Sequence, residues 1–225
     1  NIMELLQAIY ERHSVRAYED RPLAAESVQA LEQYIEQLNA ESGLHIQLVK
    51  NEPKAFDCTL AHYGKFSGVS NYFALVGQDN AALDELCGYY GEKLVLYAQT
   101  LGLNTCWVAL TYKKIPDAFH VEAGEKLGIV ISVGYGKTQG KVRPSKTAEA
   151  VSDLAADSPD WYRRGVEAAL LAPTAVNQQK FRFALRGEQV AAKSLPFAPC
   201  GKIDLGIVKC HFELASGKGH TIWMK

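Results

Sequence analysis

Two stretches of the chain repeat the same order of predicted elements, and this repetition constrains the fold more than any single motif. In each stretch an amphipathic helix precedes a strand, and a second helix then ends at a glycine ahead of a Thr-x-Trp triplet. The first comprises helices 24–39 and 81–101, strand 44–49 and triplet 105–107, and the second comprises helices 159–172 and 203–215, strand 181–185 and triplet 221–223. We therefore expect an internal structural repeat. The alternative is chance similarity among amphipathic helices, because the two stretches share little other identity.

Further elements are expected from the same periodicities. Residues 2–13 carry apolar side chains at helical spacing, and residues 72–76 and 127–133 form apolar runs typical of buried strands. Residues 51–70 are long for a structureless connection, so they form either a functional loop or a loop that contains a short helix. A final strand is predicted at residues 220–224.

The composition argues against several classes of function. A net charge of −1 over 225 residues offers no electrostatic basis for binding nucleic acid or an anionic membrane. No apolar run reaches the roughly 18 residues of a membrane span, and the N-terminus lacks the basic and apolar regions of an export signal. We accordingly expect a cytoplasmic protein with a small-molecule partner.

The cysteines are odd in number and form no CxxC pair, which favours reduced thiols over a disulfide framework. Their spacing also argues against a zinc site, so no metal is expected. A thiol nucleophile formed by Cys210 and His211 is disfavoured, because neighbours on a helix point about 100° apart. The five cysteines are Cys58, Cys87, Cys106, Cys200 and Cys210.

Residues 12–18, RHSVRAY, which we call the arginine segment, combine two guanidinium groups, an imidazole and a hydroxyl. Arginine forms forked, charge-assisted hydrogen bonds to phosphate oxygens, and Ser14 can cap a helix or donate to the same anion. The segment therefore suits the phosphate and the polar ring edge of a cofactor. The alternative is an exposed basic turn after a helix.

Residues 172–179, APTAVNQQ, which we call the amide loop, occur only in the second stretch. A proline that ends a helix, followed by Thr, Asn and Gln, offers free backbone groups and amide side chains. These groups suit an uncharged heteroaromatic ring with carbonyls and ring nitrogens. The alternative is an ordinary polar connection between a helix and a strand.

Four motifs together resemble the FMN-dependent nitroreductase family. Residues 12–18 are similar to its RRSxRxF signature, and residues 172–181 to APSxxNxQPW. Residues 101–107, LGLNTCW, are similar to LGLGTCW, and residues 133–136, VGYG, to a GYP turn. Lys180 and Gly136 stand where these motifs have proline.

The amide loop lies in the second half of the chain, whereas the family usually carries that motif soon after the first signature. This order resembles a branch described as "putative TM nitroreductase", in which one chain mimics a whole dimer. The resemblance implies an α+β nitroreductase-like fold, with a mainly antiparallel central sheet flanked by helices. It implies one domain over residues 1–225 with pseudo-repeats at about 1–150 and 151–225. It also implies one FMN per chain, and a monomer that mimics a dimer or a weak homodimer.

The resemblance also assigns cofactor-binding roles by position. Arg12 and Ser14 would bind the FMN phosphate, His13 would lie near the phosphate or ribityl chain, and Arg16 would reach the ring near N1 and O2, where a cation stabilises reduced flavin. The backbone at Ala109 and Leu110 would face flavin N5. The other assigned residues are Gly134 and Tyr135 in the GYP-like turn, Arg143 and Lys146 (with Lys137) as further phosphate contacts, and Pro173, Thr174, Ala175, Asn177 and Gln179 along the ring or ribityl chain. No catalytic side chain is required, because flavin N5 carries the chemistry.

The implied activity is that of an NAD(P)H oxidoreductase which reduces flat acceptors such as nitroaromatics or quinones by a ping-pong mechanism. Three alternatives stay open. The first is a flavin-storage or flavin-sensing protein without turnover, and the second is a flavin enzyme with other chemistry. The third is a phosphate-ligand domain that uses the turn at residues 134–137. That turn lacks the spacing of a Walker loop.

Overall fold

A computed structural model describes residues 1–225, which divide into two compact units. The sheet unit comprises residues 11–83 and 94–141, and the helix-pair unit comprises residues 1–10, 84–93 and 142–225. Helix α1, Ile2–Glu11, belongs to the helix-pair unit up to residue 10. Residues 84–93 of helix α4, Leu83–Thr100, also belong to that unit.

The sheet unit is built on a four-stranded antiparallel sheet with strand order β1-β2-β4-β3. The strands are β1 His45–Val49, β2 Tyr72–Gln78, β3 Asn104–Val108 and β4 Glu125–Gly134. Strand β2 is apolar and buried over nearly its whole length because β1 and β4 flank it and side chains pack on both faces. The expected antiparallel sheet is confirmed.

Two helices complete the sheet unit. Helix α2, Ala25–Ser42, buries Leu31, Ile35 and Leu38 on one stripe, and it ends at Gly43, whose φ of 74° is left-handed. A short helix α3, Thr59–Tyr63, lies within residues 51–70. The second interpretation of that stretch, a loop that contains a short helix, is therefore correct.

The helix-pair unit packs helix α5, Asp160–Ala169, against helix α6, Gly201–Ser216. A hairpin of β5, Phe181–Arg186, and β6, Gln189–Ser194, completes its core. Phe212 of α6 lies at the centre of an aromatic cluster with ring centroids 5.1–6.5 Å away. Its ring neighbours are Trp161, Tyr162, Phe183 and Trp223.

Helices α4 and α6 cross at a pair of glycines within the helix-pair unit. A Cβ on Gly88 would overlap Ile203 O and lie 3.1 Å from Ile207 N. A Cβ on Gly206 would overlap Glu85 O and lie 2.6 Å from Tyr89 N. Gly88 thus lies against the residues at positions −3 and +1 relative to Gly206, and Gly206 lies against those at positions −3 and +1 relative to Gly88. Such a reciprocal contact is characteristic of an isologous, two-fold interface.

Most predicted elements lie where the periodicity placed them, with two exceptions. Strand β6 was not expected, and the predicted final strand at residues 220–224 is wrong. That stretch forms a 3₁₀ turn, His220–Ile222, and only Trp223 bridges to Val190. None of the helices combines the length and hydropathy needed to span a bilayer.

Candidate functional site

The arginine segment leaves α1 as extended chain and is fixed to strands β3 and β4 of the sheet unit. The Val15 N–H donates to Thr105 O at 3.0 Å. The Tyr18 hydroxyl donates to Val15 O at 2.6 Å and lies 2.8 Å from Ser132 Oγ. Because Val15 and Tyr18 are both buried, they hold Arg16, which lies between them, in a defined position.

The polar residues of the arginine segment differ in exposure. Arg12 is only 7% exposed, whereas His13, Ser14 and Arg16 are half-buried and retain access to solvent. Burial, and then the neighbouring Arg12 guanidinium, lower the pKa of His13 below 6.5. His13 is therefore neutral at pH 7, and the segment presents its positive charge through its arginines.

Residues 134–140, which we call the glycine loop, run along the arginine segment. Tyr135 O accepts the Glu19 N–H at 2.8 Å, and the Lys137 N–H donates to Ala17 O at 2.9 Å. The structure therefore brings Gly134 and Tyr135, both predicted site residues, against the arginine segment. Lys137 contributes through its backbone, and its side chain is exposed.

Asn104, which is not among the predicted site residues, fixes the glycine loop from the start of β3. It is 2% exposed, its Oδ1 accepts the Gly136 N–H at 3.0 Å, and its Nδ2 donates to Gln139 Oε1 at 3.1 Å. In the family motifs these positions are glycine and proline. A proline has no N–H to donate and a glycine has no side-chain acceptor, so this hydrogen bond requires both departures from the motifs. The joint occurrence of the two departures was the signal available in the sequence.

Replacing Asn104 with alanine should lower the free energy of unfolding by about 1–3 kcal/mol, because it removes a buried side chain and leaves the half-buried Gly136 N–H without its acceptor. Urea denaturation followed by circular dichroism measures the change. Asn80→Ala is the matched control, since Asn80 Oδ1 also accepts a backbone N–H, that of Ala82, but at an exposed site. Equal effects of the two substitutions would contradict the assigned role of Asn104.

Ala109 and Leu110 follow the end of β3 in an exposed bend. The Leu110 side chain is largely exposed. The structure places both residues in the sheet unit, as it does the arginine segment and the glycine loop.

The amide loop lies in the helix-pair unit and has an unusual backbone. Val176, Asn177 and Gln179 have positive φ angles of 46°, 53° and 46°. Such angles are costly for a residue with a Cβ, above all for a β-branched one. Val176 is 90% exposed, so no packing of its side chain offsets this strain. Backbone strain of this kind is concentrated at functional sites.

Several of the predicted residues hold the amide loop together. Gln179 is buried, its Oε1 accepts the Lys146 N–H at 2.8 Å, and its Nε2 donates to Ser145 Oγ and Leu170 O, each at 3.1 Å. The Asn177 Nδ2 donates to Pro144 O at 2.9 Å. The structure thus brings Lys146 together with Asn177 and Gln179, whose side-chain amides bond within the protein.

The remaining predicted residues have simpler surroundings. Thr174 Oγ1 accepts the Gln179 N–H at 3.0 Å, and Pro173 and Ala175 are half-buried. Arg143 is exposed. Asp204 of α6, which is not among the predicted site residues, accepts the Ala175 N–H. No local pattern distinguishes this aspartate from the many found in first helical turns.

The Cys210–His211 pair has no features of an activated thiol. The two His211 ring nitrogens lie 2.9 Å from Ala168 O and 2.8 Å from Glu92 Oε2, all buried. Burial raises the pKa of the Cys210 thiol. The geometry therefore agrees with the argument from helical spacing.

Comparison with solved structures places this fold among nitroreductases. The structure of a putative nitroreductase from Thermotoga maritima aligns with a TM-score of 0.68 and 21% identity, over 96% of this chain and 84% of that one. A putative nitroreductase from Desulfovibrio desulfuricans, solved in complex with FMN, aligns with a TM-score of 0.53 and 18% identity, over 69% and 98% of the two chains. A putative NADH dehydrogenase/NAD(P)H nitroreductase from Parabacteroides distasonis aligns with a TM-score of 0.51 and 22% identity, over 66% and 96%.

A comparison with curated proteins finds no match. The sequence model of the family described as "Putative TM nitroreductase", however, matches residues 4–216. This match spans nearly the whole chain and agrees with the branch that the order of the motifs indicates. The chain therefore belongs to the putative TM nitroreductase family.

Proposed function

We propose that the chain is an FMN-dependent NAD(P)H oxidoreductase that reduces flat acceptors such as nitroaromatics or quinones. The observation that carries this proposal is the arginine segment, in which the half-buried Ser14 and Arg16 lie on either side of the buried Val15 in a nitroreductase fold. The FMN bound in the D. desulfuricans structure supports the choice of cofactor. When bound, FMN supplies hydride acceptance and donation at N5.

The donor chemistry of the arginine segment fits the phosphate and reduced ring of FMN. The Ser14 hydroxyl and the arginine N–H groups donate hydrogen bonds, and a neutral His13 donates one and accepts one. In this proposal Arg12, His13 and Ser14 bind the phosphate end, and Arg16 places its charge beside N1 and O2. Arg143 and Lys146 are proposed as further cations for the phosphate.

The amide loop fits a neutral ring through its backbone. The strained backbone of Val176 and Asn177 turns peptide groups in directions that ordinary loops do not reach. Because the amides of Asn177 and Gln179 bond internally, we infer that these residues shape the loop. Pro173, Thr174 and Ala175 then present apolar surface and peptide groups to the flavin.

We further propose that the chain is an internal pseudo-dimer with one flavin. The reciprocal crossing of Gly88 and Gly206 supports the repeat, because a two-fold axis would generate such a pair of contacts. The shared order of helix, two strands and helix also supports it. Apart from the short helix α3 between β1 and β2, the elements α2, β1, β2 and α4 follow the same order as α5, β5, β6 and α6. Only one half carries an arginine segment, so one flavin per chain is expected.

The visible spectrum of the purified protein, before and after NADPH, tests the proposed function. We expect a yellow protein whose visible flavin absorbance bleaches with NADPH and returns on addition of a nitroaromatic or quinone. A yellow protein that does not bleach indicates flavin storage or sensing, and one that bleaches without acceptor turnover indicates other flavin chemistry. A colourless protein that does not take up added FMN would reject the proposal.

A further inference from the structure

A buried carboxylate holds the strained amide loop in the helix-pair unit. Asp204, in the first turn of α6, is 5% exposed. The Ala175 N–H lies 3.1 Å from its Oδ1 and 3.2 Å from its Oδ2, and the Gln178 Nε2 donates to Oδ2 at 2.8 Å. One carboxylate therefore accepts both a backbone and a side-chain donor from the same loop.

Gln178 extends this contact to a second strained loop. Its Nε2 also donates to Pro199 O at 2.8 Å, in the connection between β6 and α6. Phe197 and Cys200 in that connection have positive φ angles of 60° and 56°. Asp204 and Gln178 thus join two segments that both adopt costly backbone conformations.

Hydrogen bonds, more than side-chain packing, keep these segments in place. The exposed fractions of Val176 and Phe197 are 90% and 96%, so neither apolar side chain contributes buried area to its loop. Strained conformations persist only where surrounding contacts impose them. The contacts of the Asp204 carboxylate are well placed to do so, because hydrogen bonds to a charged acceptor are about twice as strong as neutral ones.

The surroundings of Asp204 are otherwise nearly free of charge. The amide loop contributes no titratable side chain to it. The connection before α6 contributes the Cys200 thiol, and burial, together with the negative charge of Asp84 in α4, helps to raise the pKa of that thiol. Burial raises the pKa of Asp204 to about 6, although the hydrogen bonds from Gln178 and Ala175 favour its charged form.

We propose that Asp204 is a positioning residue whose ionised carboxylate holds the amide loop in its flavin-binding conformation, so that acidification releases the loop and weakens FMN binding. This inference rests on the proposed function. An ionised carboxylate accepts from both donors. A protonated one carries an O–H, which itself donates, so one of the two loop donors then loses its acceptor.

Protonation affects global stability in the opposite direction. The folded-state pKa lies above the ordinary value of 3.8, so the folded protein binds the proton more tightly than the unfolded chain does. The contribution of Asp204 to stability therefore falls as pH rises from about 4 to about 6. Loop order and global stability are thus expected to respond oppositely to acid, which separates release of the loop from general acid unfolding.

The first test compares FMN dissociation constants of the wild type and Asp204→Asn between pH 5 and 7.5. We expect the variant to bind about tenfold more weakly at pH 7.5, the loss of one charge-assisted hydrogen bond, and about as tightly as the wild type at pH 5. The ratio of the two constants cancels the ionisation of the FMN phosphate and of His13, which the two proteins share. A ratio that does not change with pH would overturn the proposal.

The second test needs no flavin. Hydrogen exchange of the Ala175 N–H in flavin-free protein, corrected for intrinsic rate, should be slow at pH 7.5 and fast at pH 5 in the wild type. It should be fast at both pH values in Asp204→Asn and in Gln178→Ala, which removes a loop donor and leaves the carboxylate intact. Unchanged protection in a folded Gln178→Ala or Asp204→Asn protein would overturn the positioning role.

Asp153→Asn is the matched control. Asp153 in the same unit also accepts a backbone N–H, that of Leu185, at 3.1 Å, but hydrogen bonds hold its pKa below the usual value against the effect of burial. This variant should alter exchange in β5 and leave the Ala175 N–H protected. A wild-type protein that binds no FMN at any pH would reject the proposed function, and the exchange measurement would then decide the positioning role alone.

Discussion

Replacing Gly206 with alanine should lower the free energy of unfolding by at least about 3 kcal/mol, the upper range for overpacking a core. In an exposed helix the same change would stabilise by roughly 0.5–1 kcal/mol through helix propensity. Here the new methyl group would overlap Glu85 O and lie 2.6 Å from Tyr89 N. Both are backbone atoms of α4, so no side-chain rotation relieves the overlap and the two helices must separate.

Gly88→Ala should have a similar effect, because its Cβ would overlap Ile203 O in the reciprocal position. The double variant should lose less stability than the sum of the two single losses, since the first methyl group already separates the helices. Urea denaturation of the three variants measures this coupling. Gly219→Ala is the control, because that glycine has a φ of −80° and open space around its Cβ position. A stable Gly206→Ala protein would show that the helices do not pack this closely.

Replacing Arg16 with alanine should weaken FMN binding by about 10- to 100-fold and slow flavin reduction by NADPH. The lost interaction is that of a cation with the pyrimidine edge of the ring, and hydrogen bonds to charged groups contribute about 1.5–3 kcal/mol. Reduction should slow because the negative charge of reduced flavin loses its stabilising partner. Flavin fluorescence titration measures the affinity, and stopped-flow absorbance measures the rate.

Two further variants sharpen this prediction. Arg16→Lys keeps the charge without the planar fork, so it should recover more of the reduction rate than of the affinity. Arg21→Ala is the control, because Arg21 is exposed and stacks on the Tyr135 ring with its Cζ 3.7 Å from the centroid. Unchanged affinity and rate in Arg16→Ala would remove Arg16 from the site.

The parts of the fold that periodicity predicts are those with strong apolar patterns. Strand β2 is a continuous apolar run, and α2 carries a regular stripe, so both were placed within a few residues. Strand β6 was missed because its sequence, QVAAKS, contains one large apolar residue. Its pairing with β5 follows from the turn at Gly187, whose φ is 63°. The predicted strand at residues 220–224 failed because a single bridge, between Trp223 and Val190, forms there.

The residues of the candidate site also fall into those that local sequence patterns predict and those that they do not. Arg12, Ser14 and Arg16 were identifiable because their chemistry is concentrated in a few consecutive residues. Asn104 and Asp204 were not, because each acts on a loop about 30 residues away in the sequence. A single buried polar residue has no local signature, and its function depends on the partner that the fold supplies.

The helix crossing at Gly88 and Gly206 has a consequence for how the protein behaves on dilution. In a homodimer, an interface of this kind dissociates as the protein concentration falls below its dissociation constant. Here both helices belong to one polypeptide, so the connecting chain sets a fixed effective concentration of each helix around the other. The crossing should therefore persist at nanomolar protein, and its unfolding midpoint should be the same at nanomolar and micromolar concentrations.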